Sequence, residues 1–372
     1  MKVALVHDWL TGMRGGERVL EGICGLFPYA HLYTLICKKN SLSPSLKNMH
    51  IRTSNLQFFP LADKYYRYLL PVMPAAIEQF ELKDYDLILS SSHCVAKGVK
   101  TGKNACHICY CFTPMRYIWD QSSQYFNKEN ANPITRFTFS MFKGYLQNWD
   151  VRSSGKVDYF IASSQNVSRR IKKIYNRESE VIYPPVNTNY FEIAGEVEDY
   201  YLIVSAFAPY KRIDLAIKAF NQLGYPLKII GGGQCEKQLR KIAGTNIEFL
   251  GYLDDEEIKH YYSRCKAFIF PGEEDFGITP LEAQASGRPV IAFGKGGALE
   301  TVVPYTNENN TPTGLFFEEQ TVESLIGAVQ KFEKITDKFD SQKIREHTLK
   351  FDREVFEKKI KEFINKKMDS RL

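Results

Sequence analysis

Short apolar runs alternate along the whole chain with segments whose apolar positions recur at helical spacing. The first run is VALVH, followed by HLYTLI, YDLILSSS, ACHICYCF, DYFIASS and VIYPPV. These runs are rich in β-branched and aromatic residues and end in small polar residues or turn formers, which is the signature of strands. Between them, residues 17–27 and 166–175 carry apolar side chains on one helical face. Strand and helix in alternation predict βαβ units and a parallel sheet.

The rhythm stops at Tyr183-Pro184-Pro185-Val186. Two prolines exclude helix and central strand alike, and the stretch that follows, as far as Asp199, is acidic and irregular. The pattern restarts with YLIVSAF, PLKIIGGG, NIEFLGYL, KAFIFPG, RPVIAFG and TGLFF, with helical segments at residues 213–223, 235–242, 254–264 and 279–286. The second half thus repeats the architecture of the first, and a domain 1–184 and a domain 185–350 are expected. A length of 372 residues agrees, being too great for one ordinary core. Ligands of parallel sheets bind at the carboxyl ends of the strands, so the loops that follow the strands are expected to converge on an interdomain cleft.

Composition removes several function classes. Apolar residues at 44% and charged residues at 25% are ordinary for a globular protein and argue against disorder. The opening MKVALVHDWL is neither a secretory signal nor a membrane span, so a cytoplasmic location is expected. In that setting the eight cysteines read as buried thiols, and the glycosylation matches at Asn166 and Asn309 mean little. A net charge of +6 favours anionic partners. No zinc-finger, helix-turn-helix or RNA-binding signature accompanies it, so nucleic acid is not expected. Cys106, His107, Cys109 and Cys111 lie within one strand without a second ligand pair, so no metal is expected either.

The candidate chemistry lies in the loops. In TGMRGGERVL, Gly15 and Gly16 precede a helix whose free N–H groups suit an anion, with a plain tight turn as the alternative. In SAFAPYKRID, which begins at Ser205, adjacent Lys211 and Arg212 repel each other unless an anion such as a diphosphate lies between them; solvated surface cations are the alternative. Gly231 and Gly232 of IIGGGQCEKQL allow the backbone to approach a phosphate or ribose, or merely turn the chain. In GEEDFGITPLEAQASGRP, Thr279 to Glu282 has the form of a capping box, which accounts for Glu282 but not for the crowded Glu273, Glu274 and Asp275. Carboxylates accept hydroxyl hydrogen bonds, so Glu274 and Glu282 suit a sugar and a ribose. His93 and Lys97 follow a strand in SSSHCVAKG, where a packed or exposed histidine is the alternative. Residues 56–80 mix aromatics with Lys64 and Arg67 and suit either a membrane surface or burial against the first sheet.

Together these residues resemble the retaining GT-B glycosyltransferases of family 4, especially the bacterial mannosyltransferase-like branch of polysaccharide and lipopolysaccharide synthesis. The likeness spans nearly the whole chain. It rests on the E-x7-E of Glu274 and Glu282 in EEDFGITPLEAQASGRPVIA, on PYKRID, on FIASSQNVSRRIKKIYNR with VIYPPVN, on SSSHCVAKGV and on TPMRYIWD. It implies two Rossmann-like domains, the first on the acceptor side, and a C-terminal helix, within residues 351–372, crossing back to the first domain. It also implies Glu274 on the donor sugar, Glu282 on the ribose and Lys211 on the diphosphate, helped by backbone around Phe276, Gly277 and Ile278, with Gly15 and Gly16 bordering the phosphates. Ser205, Gly231, Gly232 and Tyr252 are assigned to the donor site and His93 to the catalytic group. Ala206 stands where such proteins usually have arginine, and Phe112 where they tend to have histidine; Arg212 would supply the missing charge.

The implied reaction moves a hexose, most readily mannose from GDP-mannose, to a glycan or lipid-linked acceptor, with retention and without metal or other cofactor. Peripheral contact with the anionic inner membrane surface is a further expectation. A UDP-glucose-type donor, a GT-B epimerase or hydrolase, and a non-catalytic subunit of a glycan assembly complex are the alternatives.

Overall fold

A computed structural model describes residues 1–119, 133–306 and 311–371. Asn309 and Asp120, the last residue of TPMRYIWD, lie outside the described residues. The chain divides into two compact units, Met1–Pro185 with Glu354–Leu372, and Val186–Arg353.

The first unit is built on seven parallel strands: β1 Val3–His7, β2 His31–Thr34, β3 His50–Thr53, β4 Leu87–Ser92, β5 Cys106–Cys111, β6 Tyr159–Ala162 and β7 Ser179–Val181. Their order is β3-β2-β1-β4-β5-β6-β7, doubly wound from β1. Alternation along β1 sends Ala4 and Val6 to one face with Tyr33 and Ile88, and Leu5 to the other with Leu32, Leu87 and Ile108. Both faces are covered, which is why the strands read as apolar runs. HIRT of β3 escapes that pattern because it is the edge strand, alternately exposed and half-buried. Helix α1, Gly15–Leu26, packs Val19, Leu20 and Ile23 into the second face. The last helix, α6 (Arg353–Asp369), adds Phe356, Ile360, Phe363 and Ile364 to the same cluster, and a Cβ on Gly22 of α1 would stand 3.1 Å from the Phe356 ring.

Helix α2, Pro133–Ser154, and helix α3, Gln165–Tyr175, are fixed in this unit by a buried charge. Asp150, fully buried, accepts from Lys97, from Trp119 Nε1 at 2.8 Å and from Tyr175 Oη at 2.9 Å. Lys97 is therefore a structural cation and not a ligand-facing one; removing either partner would strand a charge in the core.

The second unit has six parallel strands: β8 Tyr201–Val204, β9 Leu227–Ile230, β10 Ile247–Gly251, β11 Ala267–Phe270, β12 Val290–Phe293 and β13 Gly314–Phe317. Their order is β10-β9-β8-β11-β12-β13. Tyr201, Ile203, Ile229, Ile269 and Ile291 meet Ile217 and Phe220 of helix α4, Ile213–Leu223, in one core. The irregular stretch after the prolines is tied down by side chains: Arg345 donates to the carbonyls of Thr188 and Phe191, and Arg288 to those of Ser263 and Ala194.

Candidate active site

In the second unit the polar loops all leave the carboxyl ends of strands. β8 and β11 are neighbours, and the loop after each carries one partner of an ion pair, Lys211 Nζ with Glu274 Oε1. Both side chains are less than one-fifth exposed. Glycines make the pair possible. A Cβ on Gly272 would sit 2.9 Å from Lys211 Cα, so only glycine lets the two loops approach. On the other side Gly297 N donates to Glu274 O at 2.8 Å, and a Cβ there would fall 2.2 Å from Phe276 Cα. Gly296, with φ +64, makes the turn into that contact. The pattern of carboxylates drew attention to residues 272–289; it gave no hint that Gly296 and Gly297 support them from the next strand.

A second group of loops meets beside the first. Ser205 N donates to Ile230 O and Phe207 N to Gly232 O, which lays the loop after β8 along the glycines after β9. A Cβ on Gly231, whose φ is +124, would overlap Ser205 O. Gly231 N donates to Gly251 O, and the ring of Tyr252, 81% exposed, lies so close to Gly232 that a Cβ there would be 2.6 Å from it. Ser205, Gly231, Gly232 and Tyr252 are thus brought together.

Helix α5, Ile278–Ala285, begins after Gly277 at φ +91. The capping box expected at Thr279 does not form: the N-cap is Gly277, without a side-chain cap, and Glu282 Oε2 accepts from Tyr262 Oη at 2.9 Å. Phe276 is buried against Phe351, ring centroids 5.9 Å apart, so only its backbone faces the loop. Arg212 also differs from expectation. At φ +51 it turns the chain into α4, and its guanidinium donates to Asp214 at 3.2 Å and Gln320 at 3.1 Å. It stands next to Lys211 in sequence but its charge is committed elsewhere.

In the first unit, the carboxyl ends of β1 and β4 meet around Asp8, which is fully buried. Its Oδ2 accepts from His93 N and Cys94 N, and its Oδ1 from Val95 N and Ala96 N, at 2.7–3.0 Å. His93 Nδ1 also lies 3.0 Å from Oδ2. Burial pushes the Asp8 carboxyl up, but the charges and hydrogen bonds of His93 and the neighbouring His7 outweigh it and hold the group below the usual carboxylate range. Gly15 and Gly16 open α1 nearby, where a Cβ on Gly16 would stand 3.6 Å from Phe112 and 3.7 Å from His7. Glu17, nine-tenths buried, accepts from Arg14 N at 3.2 Å, and burial raises its carboxyl. That helix start therefore already holds an internal carboxylate. Asp8 and Glu17 were missed in the sequence, where each is a single acid beside a strand or glycine pair.

No group of three or more histidine, cysteine or acidic side chains is arranged to hold a metal among the described residues, and no helix among them is long and apolar enough to cross a membrane. Residues 56–80 split between the two expectations. Tyr66, Met73 and Ile77 are buried, Tyr66 against Trp9 at 4.9 Å, whereas Phe58, Phe59, Leu61, Tyr65 and Tyr68 are at least half exposed. Tyr66 is thereby removed from any surface role.

A doubly wound parallel sheet in each unit, with glycine-framed charged loops at the strand ends, defines a two-domain α/β protein. Comparison is specific about the second domain: residues 189–348 match the family described as "Glycosyl transferases group 1". The chain is 25% identical over 381 residues to the alpha-1,3/1,6-mannosyltransferase ALG2 of Saccharomyces cerevisiae, covering 83% of this chain and 72% of that one. It is 36% identical over 137 residues to a GDP-mannose-dependent monoacylated alpha-(1-6)-phosphatidylinositol monomannoside mannosyltransferase of Corynebacterium glutamicum; that match covers 32% of this chain and 34% of the relative. Sucrose-phosphate synthase from Thermosynechococcus elongatus superposes with a TM-score of 0.74 at 16% identity, over 100% of both chains. Residues 189–348 are therefore similar to a glycosyltransferase group 1 domain, and the chain as a whole shares the fold of that synthase.

Proposed function

We propose that the chain is a retaining, metal-independent mannosyltransferase, moving mannose from GDP-mannose to a hydroxyl of a glycan or lipid-linked acceptor. The ion pair of Lys211 and Glu274 in its frame of glycines carries this reading, and the mannosyltransferase names of the two relatives support the choice of sugar and of GDP. Lys211 meets the diphosphate, whose charge grows as the anomeric bond breaks, with the start of α5 adding N–H groups and a positive helix end. Glu274 accepts from donor hydroxyls and Glu282, steadied by Tyr262, from the ribose. Ser205, Gly231, Gly232 and Tyr252 border the nucleoside. A phosphate oxygen of the donor takes the acceptor proton on the same face, so retention needs no enzyme nucleophile, and lysine in place of a metal neutralises the leaving group. The exposed aromatics around Lys64 and Arg67 rest on an anionic inner membrane surface, where a lipid-linked acceptor is presented.

The test is turnover of GDP-mannose and UDP-glucose with octyl α-mannoside as acceptor, in EDTA, with the product anomer read by NMR. An α-mannoside formed from GDP-mannose alone is the expected result. Product with inverted configuration, a requirement for divalent metal, or free mannose as the sole product would each reject the corresponding part of the reading.

A further inference from the structure

One charged assembly of the first unit is unused by the donor chemistry. A carboxylate offers about four lone-pair sites, and those of Asp8 are met by the backbone N–H groups of His93, Cys94, Val95 and Ala96. Its lone pairs therefore have partners without the His93 side chain. The contact of His93 Nδ1 at 3.0 Å, additional to these, helps to hold the carboxylate charged and also acts back on the histidine ring. A carboxylate only accepts, so the proton in that contact lies on Nδ1, and in the neutral ring Nε2 keeps its lone pair. Nδ1 faces a residue with no exposure, while the histidine side chain as a whole is 31% exposed, which leaves Nε2 as the ring nitrogen available to a ligand. Trp9, edge-on with centroids 4.6 Å apart, and Phe112, at 6.3 Å, stand against the ring as apolar walls.

We propose that Asp8 is a positioning residue that locks His93 as the Nδ1–H tautomer, so that Nε2 accepts a hydrogen bond from a hydroxyl of the acceptor sugar next to the reacting one. The identity of the substrate rests on the transferase reading above; the tautomer does not. The reacting hydroxyl keeps its own proton for the donor phosphate, so His93 binds and orients without taking part in proton transfer. The groups around it are Asp8 and His7 from the end of β1 and Glu17 from α1, and Asp8 is the one in contact with Nδ1.

Two measurements decide it. Nitrogen-15 correlation spectra of the ring in the full-length protein at neutral pH are expected to show Nδ1 protonated and Nε2 bare, and Asp8→Asn to mix the tautomers. His93→Phe keeps the ring shape and leaves the backbone bonds of Asp8 in place. It is expected to raise the KM for octyl α-mannoside roughly tenfold, the loss of about one hydrogen bond, with kcat nearly unchanged. The dissociation constant for GDP-mannose should stay within about twofold, since no donor contact is removed. A protonated Nε2 in the wild type, or a wild-type KM in His93→Phe, overturns the proposal. If GDP-mannose fails to bind the wild type, the transferase reading falls, and the ring spectra alone then decide whether Asp8 sets the tautomer.

Discussion

Lys211 and Glu274 close an ion pair between the loops that follow two adjacent parallel strands. In the protein without donor, the cation assigned to the diphosphate is already neutralised by the carboxylate assigned to the sugar. The two groups hold each other in place, and an arriving diphosphate competes for the ammonium.

That competition has opposite consequences for the two partners. Lys211→Ala removes a cation from the developing charge and is expected to slow turnover a hundredfold or more, about 3 kcal/mol in the barrier. Glu274→Gln removes the competing negative charge while keeping the shape, so GDP binding should hold or tighten although transfer falls. Calorimetric titration of GDP into both variants checks the sign. Arg212→Ala should cost less than Lys211→Ala, because its guanidinium is already engaged by Asp214 and Gln320. Equal losses would return Arg212 to the diphosphate.

Gly297→Ala is expected to disable the site from outside it. The new Cβ would meet Phe276 Cα at 2.2 Å, and backbone cannot yield as a flexible side chain can. The 274–276 segment must move, taking with it the Glu274 carbonyl that Gly297 N holds at 2.8 Å. GDP-mannose turnover should drop at least tenfold, and the thermal midpoint should fall as well. Gly16→Ala is the contrast, since its nearest neighbours would lie at ordinary van der Waals distance. A normal Gly297→Ala enzyme would detach this glycine from the site.

The difference between those glycines shows where legibility ended. Most strands were readable as apolar runs; β3 was not, because an edge strand need not be apolar, and β7, the other edge, ends at Val181 where the run VIYPPV begins. Lys211 and Glu274 stood out as charges crowded beside glycine and proline, a local signal. Asp8 gave none. The residues it serves lie 85 to 88 positions further on, and a single acid at a strand end looks the same whether it is solvated or buried under four amides. Arg212 was misplaced for a related reason, as a neighbour of Lys211 in sequence that tertiary packing turned towards different partners.

The exposed part of residues 56–80 carries the third prediction. Phe58 is 83% and Tyr68 72% exposed, beside Lys64 and Arg67 on the same segment. Apolar insertion and attraction to anionic lipid act together on such a surface, and each cation near it contributes about 1 kcal/mol. Flotation with phosphatidylglycerol vesicles should fall about tenfold or more in Lys64→Glu with Arg67→Glu and also in Phe58→Ser with Tyr68→Ser. Vesicles of neutral lipid should bind weakly throughout. Unchanged flotation in the charge-reversed protein would remove the membrane surface from this segment.

Acid stability follows from the buried histidines. His107 is fully buried, with Nδ1 3.2 Å from Lys156 O and Nε2 2.8 Å from Ser90 Oγ. A carbonyl only accepts, so Nδ1 carries the proton and Nε2 accepts from the serine, and the ring is held neutral. Burial lowers His107 to about 4, His7 to about 4, and His347, with Lys350 adding to the effect, to about 4. In the unfolded chain each titrates near 6.5. As pH falls below that value the unfolded state takes up protons that the folded state refuses, so the stability these groups contribute is present above about 6.5, declines towards 4 and levels off below it. Glu17, raised by burial, works in the other direction and offsets part of the slope at the acid end. Urea midpoints should therefore drop between pH 7 and pH 5, with the fully buried His7 and His107 contributing on the order of 1–3 kcal/mol each over the whole window. A midpoint that stays level from pH 7 to pH 5 would mean that these rings are charged in the folded protein, and that His107 Nε2 donates to Ser90 Oγ instead of accepting from it.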